Sequence, residues 1–185
     1  MNEPISVKQL VAEGKSAYQQ GDFLAAAQVF DAAAAAYQAA GDKLNAAELR
    51  NNSSVAYLQA GESQSALEAV EGTPAIFSAA GDERRQGMAL GNLGAALEAV
   101  NRLDEAAQAY QQSAELLQRA GENDLRSYVM KSLSALQLRT GHQIEALSTM
   151  QAGLEGIEHP KPKQWLLKKL LRVPFKFLGK SSDQS

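Results

Sequence analysis

Glycine stands at positions 21, 41, 61, 81, 121 and 141, and Asn101 fills the one gap in this 20-residue series. Glycine enters the left-handed region without a Cβ penalty, and asparagine is the residue that best replaces it there, so each position reads as a helix stop. An acid follows most of them, in Gly21-Asp22, Gly41-Asp42, Gly61-Glu62, Gly81-Asp82 and Gly121-Glu122. It then lies near the positive end of the next helix dipole. The series predicts helix, turn, helix, turn, with two helices in every 40 residues. Gly72-Thr73-Pro74 falls inside one expected helix, and a proline there removes a hydrogen bond and clashes with the preceding turn, which predicts a kink or break.

A second register repeats every 40 residues. Small residues recur at Gly14, Ser54, Gly94 and Ser134, and alanine recurs at Ala26, Ala66, Ala106 and Ala146. A bulky residue follows each alanine at Phe30, Val70, Tyr110 and Met150, and then a small one at Ala33, Thr73, Ser113 and Gly153. Small residues allow a close helix crossing, and the bulky one plugs the neighbouring pair. With segments such as YQQGDFLAAAQVFDAA and LEAVNRLDEAAQAYQQS, this pattern resembles the tetratricopeptide repeat. Standard repeats run about 34 residues. The longer period is similar to the kinesin light chain-type variant.

The resemblance implies an all-α fold, a right-handed TPR-like α-solenoid of four helix-turn-helix pairs. The expected array is residues 1–159, with repeats at about 6–41, 42–81, 82–121 and 122–158, followed by a tail at 160–185. The fourth repeat is polar, with Gln137 and Gln143 where bulky residues are usual, as the end of a solenoid requires.

Composition agrees with helices packed closely together. Apolar residues make up 45% of the chain, enough for a core, and alanine, the best helix former, is abundant. The absence of cysteine excludes disulfides and thiolate metal sites. The segment MNEPISVKQL does not read as a signal peptide, and no apolar run reaches the roughly 18 residues of a membrane span. The net charge of −3 conceals an asymmetry: residues 1–159 carry 11 Lys+Arg and 20 Asp+Glu, whereas residues 160–185 carry seven and one. A tail of +6 thus follows a body of −9.

In the family that the chain resembles, the first helix of each pair lines a concave surface. The matching positions are Lys8, Ala12, Lys15 and Gln19; Glu48, Asn52, Val55 and Gln59; Met88, Asn92, Ala95 and Ala99; and Tyr128, Ser132, Ala135 and Arg139. Lys15, Glu48, Asn52, Gln59, Met88, Asn92, Tyr128 and Arg139 are the candidate contacts to a peptide or partner segment. Asn52 and Asn92 share one slot in adjacent repeats, and an amide offers both a donor and an acceptor, so the two form a possible ladder for an extended peptide backbone. A tolerated solvent-facing asparagine is the plainer alternative. The basic clamp with which some family members hold a chaperone's C-terminal carboxylate is largely missing, since its slots hold Val11 and Lys15, then Met88 and Asn92.

Gly14-Lys15-Ser16 ends like a phosphate loop, but Gln9 stands where the first glycine belongs, and the segment is mid-helix. Gly87, Gly91 and Gly94 suit helix packing, with no strand before them to make a dinucleotide site. Asn52-Ser53-Ser54 fits a glycosylation sequon only formally. His142 and His159 have no ligand partner at helical spacing. The expectation is a binding protein, not an enzyme, with no cofactor and no metal, whose partner is another protein or peptide. The expected location is the cytoplasm, at the inner face of a membrane if the tail binds lipid. Nucleic acid is disfavoured, because the basic run is short and the body repels phosphate.

His159-Pro160-Lys161-Pro162 ends the array, and KQWLLKKLLRVPFKFLGKSSDQS follows. On a helical wheel starting at Trp165, Leu166, Leu167, Leu170, Leu171 and Val173 span about 80° to 240°, with Lys168, Lys169 and Arg172 opposite. Trp165 falls among the basic residues. Pro174 ends the helix, and Phe175 and Phe177 flank Lys176. Three readings stay open: a helix capping the fourth repeat, a peripheral contact with an anionic membrane, and a helix docking on a partner. An assembly factor held at a membrane by this tail is the alternative to an adaptor.

Overall fold

The structure, a computed structural model, describes residues 6–155, 157 and 162–171. The described residues form ten helices: α1 (Val7–Gln20), α2 (Phe23–Ala39), α3 (Lys43–Ala60), α4 (Ser63–Val70), α5 (Thr73–Ala79), α6 (Glu83–Ala99), α7 (Leu103–Arg119), α8 (Asn123–Arg139), α9 (Gln143–Glu155) and α10 (Pro162–Leu171). The chain is all-α, without a strand among these residues.

Each expected stop is a stop. Gly21, Gly41, Gly61, Gly81, Gly121 and Gly141 take φ between 68° and 85°, and Asn101 takes 63°. The acids do more than sit near a dipole. The Asp22, Asp42 and Asp82 carboxylates accept hydrogen bonds from the backbone N–H groups of Ala25, Asn45 and Arg85, so each is an N-cap. Glu62 is one methylene longer and caps no N–H group through its side chain. Glu122 accepts instead from Arg84. The connections between α1 and α2, α2 and α3, α6 and α7, and α8 and α9 are short, and each of these pairs packs as a hairpin.

The second helix of the second pair is interrupted, as Gly72-Thr73-Pro74 predicts. It is two helices, α4 and α5. Gly72 adopts φ 81° between them, and Thr73 and Pro74 open α5. Proline fits there because the first turn of a helix has no partner for its missing N–H.

The chain divides into two compact units, Met1–Glu122 and Asn123–Ser185. In the first, α1 packs on α2, α2 on α3, and α6 on α7. Ala26, Ala27, Phe30, Ala33 and Ala34 of α2 form one core with Leu49 and Ala56 of α3. Ala47, Phe77 and Ala89 join α3, α5 and α6. In the second unit α8 packs on α9 and α10 on α9. Its buried side chains include Val129, Met130, Leu133, Leu136, Ala146 and Leu154. The alanine slot at 26, 66, 106 and 146 is at most 1% exposed in every pair. No described helix is long and apolar enough to cross a membrane.

Candidate interaction surfaces

In the first unit, the residues expected to meet a partner come from α1, α3 and α6. Lys15, Gln59 and Glu48 are exposed, Asn52 and Asn92 are half-buried, and Met88 is 38% exposed. One turn after each asparagine the side chain is short, with Val55 and Ala95 both half-buried, whereas Glu48 and Met88 stand one turn before.

The two asparagines differ in what they touch. Asn92 donates from Nδ2 to Oδ1 of Asn51 at 3.3 Å. Asn51, buried in α3, donates in turn to the carbonyl of Ala47 and to Oγ1 of Thr73, both at 3.0 Å. Thr73 Oγ1 donates its own hydrogen bond to the carbonyl of Val70 at 2.9 Å. This chain of hydrogen bonds ties α6 to α3 and α3 to the break between α4 and α5. Asn52 has no hydrogen-bond partner among the described residues, so its donor and acceptor both remain for a ligand.

Asn51 and Thr73 are structural participants that residue-level reading misses. Their signal was present: Asn51 falls one position toward the packed side of Asn52, and Thr73 is a polar residue in a slot that is otherwise Ala, Ser or Gly.

Glu48 is also partly engaged. Its Oε2 lies 3.4 Å from Nη1 of Arg85, linking α3 to α6. Arg85 further pairs with Asp82 at 2.6 Å and stands over the Phe77 ring, 5.1 Å from its centroid. The Arg85 backbone N–H and guanidinium hold the Asp82 carboxyl below its ordinary value. Tyr57 is pushed up to about 12 by burial and by its hydrogen bond to Asp31, which keeps its hydroxyl protonated. These shifts follow from helix capping and packing. Among the described residues no group of three or more His, Asp or Glu side chains is placed to hold a metal ion.

The remaining two candidates, Tyr128 and Arg139, belong to α8 in the second unit. Tyr128 is 71% exposed, and Arg139 is exposed. Tyr128 borders a cleft of about 610 Å³ formed by α8, α9 and α10. Buried Leu154 and Ile157 and half-buried Leu167 make its floor, and the exposed side chains of Lys131 and Lys163 stand at its rim.

The apolar face of the wheel, which holds both Leu166 and Leu167, meets two surroundings in the structure. Leu167 turns into the cleft with Gln164, but Leu166 is 53% exposed. The side of α10 packed on its unit is centred near Leu167, about 100° from Leu166, so Leu166 lies at the edge of the buried stripe. Trp165 is 55% exposed, and the Lys169 ammonium lies 5.3 Å from its ring centroid. The side chains of Lys168, Leu170 and Leu171 lie outside the described residues, as do Arg172, Phe175 and Phe177.

Compared with known proteins, the chain matches no family model and no curated protein.

Proposed function

We propose that this chain is an adaptor of the tetratricopeptide type, a right-handed solenoid of four helix pairs that holds an extended segment of another protein. The contact runs along the first helices of the pairs in the first unit, through Lys15, Asn52, Gln59 and Met88. The observation that carries this reading is Asn52: a half-buried amide with no hydrogen-bond partner among the described residues. An amide can pair with one peptide unit as donor and acceptor together, whatever the peptide's side chains. Asn92 has a second duty in this reading, because one of its N–H groups already supports Asn51. The 40-residue register supports the solenoid, since the same slots are small, alanine and bulky in all four pairs. Binding needs no cofactor and no catalytic group.

The test is selection of binders from a displayed library of random unstructured peptides. Selected peptides should lose roughly threefold to tenfold in affinity against Asn52→Ala, the equivalent of one hydrogen bond of about 0.5–1.5 kcal/mol. They should bind Gln111→Ala, altered on an exposed position of α7, like the parent. Asn52→Ala should keep the parent's helicity and melting temperature. Peptides indifferent to Asn52 would end the proposal.

A further inference from the structure

We propose that the outward side of α10 rests on an anionic lipid surface, independently of the peptide contact above. The helix divides its residues between two environments. Gln164 and Leu167 face the cleft of the second unit, whereas Trp165 and Leu166 are each more than half exposed on another side. A helix that served only to cover its unit would turn its largest apolar side chain inward, because burial of an indole removes more apolar surface than burial of any other side chain. Here the indole points out and carries the ammonium of Lys169 over its ring. Indole, leucine and the alkyl stem of lysine, with its charge at the tip, are the side chains that settle where acyl chains meet headgroups.

Charge decides which surface. Residues 160–185 carry seven basic residues and one acid, whereas residues 1–159 carry a net −9. An anionic leaflet therefore attracts the tail and repels the body, which confines contact to α10 and the residues around it. Nucleic acid offers the same charge but nothing to receive an exposed Leu166 beside Trp165. The helix of ten residues is about 15 Å long, half the hydrocarbon thickness, so it lies in the plane of the interface and does not span it. Because Leu167 and Gln164 occupy the opposite side, α10 makes this contact while still packed on α9.

Trp165 is the only tryptophan in the chain, so emission excited beyond the tyrosine absorption band reports on this helix alone. With vesicles of mixed phosphatidylserine and phosphatidylcholine, the emission should shift to the blue and become protected from acrylamide. Phosphatidylcholine alone should do neither. Raising salt toward 1 M, where screening shortens to about 3 Å, should reverse the shift. Lys169→Ala should weaken binding on the order of fivefold, the share of one basic residue at such a surface. Leu166→Ser, which leaves the charge unchanged, should weaken it too. No shift, or an equal shift with neutral vesicles, would overturn the proposal. So would a blue shift without vesicles that grows with protein concentration, since Trp165 would then be covered by a second copy. Asn52→Ala should bind vesicles like the parent, so loss of peptide binding and loss of lipid binding are read separately.

Discussion

Gly14 and Gly94 sit inside helices, where no turn requires them. A Cβ on Gly14 would come within 2.7 Å of the Phe30 ring, and one on Gly94 within 2.7 Å of the Tyr110 ring. The partners of Ser54 and Ser134 in the same register are Val70 and Met150, which are aliphatic. Glycine thus accompanies an aromatic plug and serine an aliphatic one. Two effects oppose each other in Gly94→Ala. Helix propensity favours alanine by about 1 kcal/mol, whereas overpacking costs about 1–3 kcal/mol. Tyr110 is 4% exposed and its hydroxyl is bonded to Glu98 at 3.0 Å, so the ring has little room to retreat and overpacking should win. Urea denaturation should show Gly94→Ala less stable than the parent, with a smaller loss when Tyr110→Leu is already present. Additive effects of the two changes would mean that ring and glycine are uncoupled. The recurrence of small residues was legible in the sequence. The reason that two of them are glycine lies in contacts between helices.

Among the elements, the second helix of the second pair shows how a local rule and a tertiary bond share one task. Proline and glycine predict the interruption. What holds its two parts in place is Thr73, fully buried, bridging Val70 and Asn51. Thr73→Val keeps the shape but removes the acceptor for Asn51, and a buried unsatisfied donor costs about 1–3 kcal/mol. The denaturation midpoint should fall accordingly, while Asn52→Ala, one residue from Asn51, should leave it in place. An unchanged midpoint for Thr73→Val would show that Asn51 finds another acceptor. Their spacing of 40 residues makes Asn52 and Asn92 equivalent in the sequence. Only the packing of α6 beside α3 distinguishes them, because it brings Asn92 within reach of Asn51.

For the whole molecule, the question is what α10 adds to its own unit. Leu154 and Ile157 are buried at 7% and 6% exposure and share the cleft with Leu167. A version ending at His159 should expose part of both. Full burial of such a side chain is worth about 1.5–3 kcal/mol, and each kcal/mol moves the melting temperature of a unit of this size by about 4–8 °C. Circular dichroism should record a fall of at least several degrees with little loss of helix per residue. An unaltered melting temperature would mean that α10 contributes no cover.

The helix stops, the alanine slot at each crossing and the break at Gly72 were determined by the sequence alone. Each depends on the conformational range or volume of one residue and its chain neighbours, and both are properties of the residue type. The tertiary structure decided the rest: which asparagine is occupied, why glycine alternates with serine, and which side of the tail helix is covered. Each of those depends on a contact between helices distant in the chain. A wheel places Leu166 and Leu167 on one apolar stripe, but only the position of α8 and α9 selects the part of that stripe withdrawn from water.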